Sequence, residues 1–216
     1  MKLVSFRRND RDGFGVVADD GVIDLTGKPV SGNTYADPGE VLAAGAVEAV
    51  RKAADGATAD FGLDEISYRL PVPRPAKIFC VGRNYRGYHE VKEDGRPDWP
   101  SIFPRYTNSF SPNGEAIIRP SNDGDQLDYE GELVVVIGKR ARRVAEKDAM
   151  SVIGGYSIAN EGSVRNWIGR GTQNCPVKNH WRSGSIGPWI VTADEVPDPS
   201  KLHIKTWVNG EVRQDG

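Results

Sequence analysis

Two glutamates one residue apart are the first feature of this chain that could do chemistry. In Asp128-Tyr129-Glu130-Gly131-Glu132-Leu133-Val134-Val135-Val136-Ile137-Gly138 they stand directly before an unbroken aliphatic run. Side chains at i and i+2 of a β-strand share a face, with Cα atoms roughly 6.5 Å apart, so Glu130 and Glu132 point the same way. The run after them reads as a fully buried strand. Two carboxylates at the edge of a low-dielectric core repel each other and resist desolvation. Either one of them protonates or a cation sits between them; the plain alternative is a solvated pair on an edge strand. Gly131 leaves the opposite face without a side chain, which admits close backbone packing there. A third acid is available in Asn160-Glu161-Gly162-Ser163-Val164-Arg165, just after the β-like Tyr156-Ser157-Ile158-Ala159. An all-oxygen donor set suits Mg2+, Mn2+ or Ca2+, whereas zinc favours histidine or thiolate. Taken alone, Glu161 reads as a turn or helix-start acid.

The elements that must hold these groups belong to a chain of 216 residues with 28 basic and 30 acidic side chains, a formal net charge of -2. That length can bury a substantial core. Near-neutral charge argues against a nucleic-acid groove or an anionic membrane as the main partner. The longest strictly aliphatic run, Leu133 to Ile137, is far short of the roughly 20 residues of a membrane span. The start, Met1-Lys2-Leu3-Val4-Ser5-Phe6-Arg7-Arg8, meets arginines where a signal peptide needs its apolar stretch. Cys80 and Cys175 suggest no disulfide framework. The chain reads as a cytoplasmic protein.

The first 30 residues alternate β-prone runs (Leu3 to Phe6, Gly15 to Ala18, Val22 to Leu25) with Asp/Gly/Asn turns, the pattern of an antiparallel meander. A helix is expected next, with Asp37 as N-cap, Pro38 at its first position and Glu40 completing the cap. Its apolar face would carry Leu42, Ala46, Ala49, Val50 and Ala53, and Gly56 would end it. Leu70-Pro71-Val72-Pro73-Arg74-Pro75 is stiff and extended, and marks a boundary between residues 1–70 and 71–216. Beyond it strands are expected at Lys77 to Val81, Ala116 to Arg119, Leu133 to Ile137, Trp189 to Thr192 and Leu202 to Val208. One helix is expected between them, from about Ala145 to Ile153, stopped by Gly154-Gly155. Asn209-Gly210 is a strong hairpin turn, and the chain ends inside the return strand, which raises the expectation of an incomplete chain.

Val81-Gly82-Arg83-Asn84-Tyr85, Leu127-Asp128-Tyr129-Glu130-Gly131-Glu132-Leu133, Gly154-Gly155-Tyr156, Ser163-Val164-Arg165 and Gly187-Pro188-Trp189-Ile190-Val191-Thr192-Ala193-Asp194-Glu195 occur in that order. Together they resemble the fumarylacetoacetate hydrolase family, from about Pro75 to the last residue. The resemblance implies an α+β, mostly β fold. A mixed β-sandwich or roll of that family's C-terminal type would follow a small β-rich N-terminal domain. It implies that Glu130, Glu132 and a later acid, here Glu161 where aspartate is usual, bind one Mg2+ or Mn2+ ion, with Ca2+ as a further oxygen-liganded choice. Asn166 also departs from the pattern, since aspartate commonly follows the matched arginine. Lys178 matches an active-site lysine that would hold a substrate carboxylate or stabilise developing charge. Arg83, Tyr85 and Arg105 fall where members contact an anionic substrate.

The expected base is His89, one step later than the family's usual position, with Glu93 at i+4 on the same face of a short helix. Glu90 is an alternative partner, and His180 would share the face of Lys178 if that segment is extended. The implied activity is hydrolysis of a C–C bond in an acylpyruvate-type 2-oxo acid through a metal-stabilised enolate, by a homodimer. Isomerisation or decarboxylation of a related 2-oxo or 2-hydroxydienoic acid, or an inactive metal-binding member, are the alternatives. Ser183-Gly184-Ser185-Ile186-Gly187 approaches a nucleophile elbow but lacks its first glycine, and it supplies a serine-hydrolase rival.

Overall fold

A computed structural model describes residues 1–19, 21–85, 99–121 and 125–216. The meander appears as β1 (Lys2–Arg8), β2 (Arg11–Ala18) and β3 (Gly21–Asp24), followed by α1 (Pro38–Ala43), α2 (Val47–Ala54), β4 (Phe61–Gly62) and β5 (Ser67–Tyr68). Asp37 caps α1 as expected, accepting the Glu40 N–H. The single helix expected over this region is two. Gly45 takes φ +65° directly after α1, a left-handed position that ends one helix while the apolar spacing runs on into the next.

Next come β6 (Ile78–Gly82), β7 (Ser101–Arg105), β8 (Phe110–Pro112), β9 (Leu127–Asp128), β10 (Gly131–Ile137), β11 (Ile153–Asn160) and β12 (Ser163–Val164). The short helix α3 (Cys175–Lys178), β13 (Gly184–Thr192) and the hairpin β14 (Lys205–Val208) and β15 (Glu211–Asp215) complete the chain. The fold is mostly β with a minority of helix. Ala116 to Arg119 forms no strand; Ile118 makes a single backbone bond to the Arg182 carbonyl. The helix expected from Ala145 is a 3-10 helix over Glu146–Val152. Gly154 and Gly155 are strand residues, not a helix stop. A Cβ on Gly155 would lie 2.5 Å from the Val191 carbonyl, so glycine is needed there for strand packing.

One sheet runs β10-β11-β13-β1-β2-β3-β4 among the described residues, with β5 on β1 and β8 on β13. It crosses the proline-rich boundary, because β1 pairs antiparallel with β13 at Lys2↔Val191 and Leu3↔Ile190. The boundary is thus one of chain composition, and the hydrogen-bonded ladder ignores it. Under the sheet, Leu3, Phe14, Val16, Ile23 and Ile190 pack against Val41, Leu42 and Val50 of the helices. On the other face Val4, Phe6, Val22 and Phe61 form a second cluster. Alternation along β1 and β2 fills both faces because both are covered.

The strand after the two glutamates is not fully buried. β10 is the edge of the sheet, and Val135 and Ile137 are 45% and 60% exposed. Both cysteines are free. Among the described residues no helix is long and apolar enough to cross a membrane.

Candidate metal centre

Register brings the three acids together. β10 and β11 pair antiparallel with Gly131 opposite Asn160 and Glu132 opposite Ala159. One step further, the Glu161 N–H donates to the Glu130 carbonyl at 2.8 Å, so the two acids face each other across the end of the ladder. Directly opposed residues share a face, as do i and i+2 on one strand. Glu130, Glu132 and Glu161 therefore project to one side, with small Ala159 leaving room beside them. Each offers a carboxylate oxygen within 4.8 Å of the others. β9 and β12 add a short ladder, Ser163↔Asp128 and Val164↔Leu127, that ties the two acidic segments together on the other side of this point.

Every carboxylate is held from behind. Glu130 accepts from Ser163 Oγ at 2.7 Å and from Lys178 Nζ at 2.6 Å, and Arg165 reaches it at 2.8 Å. Glu161 accepts from Lys178 Nζ at 2.5 Å and from Arg105 Nη1 at 2.9 Å. Glu132 is hydrogen-bonded to the Tyr85 phenol, which also accepts the Leu133 N–H at 3.0 Å. These supports separate the acids electrostatically. Burial pushes the Glu161 carboxyl up to about 7, against the pull of Lys178 and Arg105. Burial also raises Glu130, but the charge and hydrogen bond of Lys178, with Ser163 and Arg165, hold it below the ordinary carboxylate range. Glu132 is raised by burial and by the Glu130 charge, against the Tyr85 hydrogen bond and the Lys178 charge.

Lys178, expected from sequence as an active-site lysine, lies on the single turn of α3, with its side chain 10% exposed between Glu130 and Glu161. That segment is helical and not extended, so His180 does not share its face. His180 stacks edge-to-face on Trp167 with ring centroids 4.9 Å apart. Arg105 departs from its expected role as a substrate contact. Its side chain is 0% exposed, and its guanidinium donates to Ser109 Oγ, the Ser109 carbonyl, Glu161, the Gly162 carbonyl and Ser183 Oγ. A fork so engaged orients Glu161 from below and has no face left for a substrate. Tyr85 likewise braces Glu132 and the edge of β10. Arg83 sits exposed at the end of β6 with φ +59°. His89, Glu90 and Glu93 lie outside the described residues.

Spacing does not mark Ser163 and Arg165, which support Glu130 from a distant segment, nor Ser109 and Ser183, which hold Arg105. Ser183 contributes its hydroxyl to Arg105 and to the Lys178 carbonyl. Gly184 already begins β13, so no strand–turn–helix elbow surrounds Ser185.

Among the described residues the donor set fits a hard divalent cation: three carboxylates, no thiolate and no imidazole, each carboxylate with lone pairs beyond those its supports use. The family model described as fumarylacetoacetate (FAA) hydrolase C-terminal matches residues 77–216, and the chain belongs to that family. It is 36% identical over 151 residues to a 4-hydroxyphenylacetate degradation bifunctional isomerase/decarboxylase of Salmonella dublin, covering 69% of this chain and 35% of that protein. To an oxaloacetate tautomerase of Bacillus subtilis it is 34% identical over 160 residues, 72% of this chain and 53% of that one. The chain thus spans about a third to a half of the length of these two relatives. Among solved structures it is similar to maleylpyruvate hydrolase from Sphingobium in complex with manganese(II) and pyruvate. That similarity has TM-score 0.79 and 27% identity, over all of this chain and 76% of the other. Fumarylacetoacetate hydrolase from Exiguobacterium antarcticum gives TM-score 0.79 and 28% identity, over all of this chain and 75% of the other. Members of the family are enzymes that include hydrolases, isomerases, decarboxylases and tautomerases, and a divalent ion suits the acidic cluster found here.

Proposed function

We propose that this protein is a divalent-metal-dependent enzyme that breaks a C–C bond in a 2-oxo acid of the acylpyruvate type. The observation that carries the reading is the convergence of Glu130, Glu132 and Glu161 on one face, with Lys178 beside them. Those acids would hold Mg2+ or Mn2+, with Ca2+ as a weaker fit to the chemistry. When bound, such an ion supplies a Lewis acid for the carboxylate and keto oxygens of the substrate. Charge favours an anionic substrate. Four carboxylates, counting Asp128 beside Arg165, face the three cations Lys178, Arg105 and Arg165, so a divalent ion would leave the cluster with a small positive excess that a 2-oxo acid offsets.

In the hydrolysis, water adds to the distal carbonyl and the adjacent C–C bond breaks. Its electron pair passes to the pyruvate half, which takes up a proton, and the acyl half leaves as a carboxylic acid. Lys178, held by two carboxylates, would place its Nζ against the substrate's developing negative charge. Arg105 and Tyr85 do not touch the substrate in this reading; they fix the acids. The base assigned to the water, His89 with Glu93, rests on sequence alone, as does Arg83 as an outer contact to the substrate anion.

A tautomerase is the second reading, favoured by the oxaloacetate tautomerase relative at 34% identity. It would use the same site to move a proton between carbon and oxygen without adding water. Purified protein loaded with Mn2+ and given an acylpyruvate, oxaloacetate and a 2-hydroxydienoate distinguishes them. Release of pyruvate from the acylpyruvate supports hydrolysis; enol–keto exchange of oxaloacetate without cleavage supports the tautomerase. Mn2+ uptake in wild type that is lost in Glu130→Gln supports the site; no metal-dependent turnover of any of the three substrates overturns both readings. His89→Ala is expected to lose hydrolysis while keeping Mn2+ affinity. Light scattering that returned a monomer would reject the homodimer.

A further inference from the structure

The free edge of β10 is closed by side chains at the two glutamates. At this edge a strand leaves N–H and C=O groups without a neighbouring strand, and such groups must find partners. The Gly131 N–H donates to Gln214 Oε1 at 3.0 Å, and Gln214 Nε2 donates back to the Gly131 carbonyl at 2.9 Å. One primary amide thereby makes both bonds of a β-ladder rung. Its orientation follows from the backbone, since an N–H needs the oxygen and a carbonyl needs the NH2. Thr206, directly opposite Gln214 in the β14–β15 register, donates its hydroxyl to the same Oε1 at 3.1 Å.

The hairpin itself pairs only within itself among the described residues, so this amide is what carries it onto β10. Gly131 leaves room for this arrangement: a Cβ there would come within 2.3 Å of Thr206 Oγ1 and 2.8 Å of Gln214 Oε1, so both side chains would have to shift. Two residues along the same edge, Tyr85 takes the Leu133 N–H in the same manner. The clamp grips the one residue between Glu130 and Glu132, on the strand face opposite their carboxylates.

We propose that Gln214 is a positioning residue of the acidic cluster, whose amide substitutes for a missing strand at Gly131 and fixes the backbone from which Glu130 and Glu132 project. The inference rests on the metal reading above. Groups that orient a ligand without touching the metal are worth about 10- to 100-fold in affinity.

The test is Mn2+ titration of metal-free protein, followed by the electron paramagnetic resonance signal of free Mn2+, with circular dichroism and thermal melts alongside. Gln214→Met keeps the side-chain length and removes both bonds; it is expected to weaken Mn2+ binding about 10-fold. Gln214→Glu keeps the acceptor for the Gly131 N–H and should fall between that variant and wild type. Thr206→Val leaves the amide in place with one bond fewer, and should give a smaller loss in the same direction. A folded Gln214→Met with wild-type affinity and only a lower melting temperature overturns the proposal, because a purely structural hairpin contact predicts that result. If Gln214→Met does not fold, Thr206→Val decides, and unchanged affinity there overturns it. A wild type that takes up no Mn2+ overturns the metal reading and this inference with it, whereas a wild type that binds alongside an equally binding variant overturns this inference alone.

Discussion

Replacing Arg105 by methionine should be among the most damaging single changes in the molecule outside its apolar core. Methionine keeps the length of the aliphatic stem and deletes the guanidinium. Two buried carbonyls, those of Ser109 and Gly162, then lose a donor at 3.0 and 3.3 Å, and Glu161 loses one at 2.9 Å. The serine hydroxyls suffer less, because each also donates elsewhere, Ser109 to the Tyr106 carbonyl and Ser183 to the Lys178 carbonyl. An unpaired buried carbonyl costs ~1–3 kcal/mol, and removing one partner of a buried ion pair costs ~3–5 kcal/mol in all. Lys178 still neutralises Glu161 on its other oxygen. We therefore expect a loss of ~3 kcal/mol, the lower end of that range. Urea denaturation, with the slope checked against wild type, measures it. Arg105→Lys keeps the charge without the fork and should recover only part of the loss. The double variant Arg105→Met/Glu161→Gln should lose less than the sum of its parts by ~1–2 kcal/mol, since the second change removes the charge that the first left exposed to a dry environment. A loss under ~1 kcal/mol for Arg105→Met, or strict additivity in the double variant, would refute the reasoning.

Two further outcomes are expected. Gly162→Ala puts a Cβ 2.0 Å from the Ser183 carbonyl, a backbone atom that cannot step aside, and should cost ~1–3 kcal/mol in urea midpoint while also weakening Mn2+ uptake through neighbouring Glu161. Asp37→Ala removes the cap on the Glu40 N–H and should cost ~1 kcal/mol. Asp37→Asn keeps the cap, and because the Arg74 partner is 70% exposed it should stay within ~0.5 kcal/mol of wild type in thermal melts.

Much of the frame was legible because it is local. Alternation and turn residues marked β1, β2 and β3, Asp37-Pro38 marked the start of α1, and Asn209-Gly210 marked the last hairpin, where both residues take positive φ. The spacing of Glu130 and Glu132 foretold a shared face for the acids; at Gly131 the expected close backbone packing is instead an approach by the side chains of Thr206 and Gln214. What failed did so where local pattern and tertiary demand part. Gly154-Gly155 looks like a helix stop, yet its lack of side chains serves a sheet that cannot be seen from position 155. The aliphatic run of β10 looks buried on both faces, but burial depends on what the sheet meets, and at its edge Ile137 is left 60% exposed.

The site shows the same division more sharply. A ligand set is legible when its members sit on adjacent strands, because strand period and register are properties of the backbone. The groups that make those ligands usable are not. Arg105 with Ser109, Ser163, and Ser183 come from three separate parts of the chain and meet where β8 runs parallel beside β13 while β9 and β12 pair across the end of the sheet. A buried arginine and a substrate-binding arginine look alike in sequence; what separates them is whether the five N–H donors find acceptors inside the protein. For Arg105 they do, and its positive charge goes into holding Glu161 ionisable beside Lys178. Under the proposed reading, recognition of a substrate anion would then fall to Lys178 rather than to Arg105.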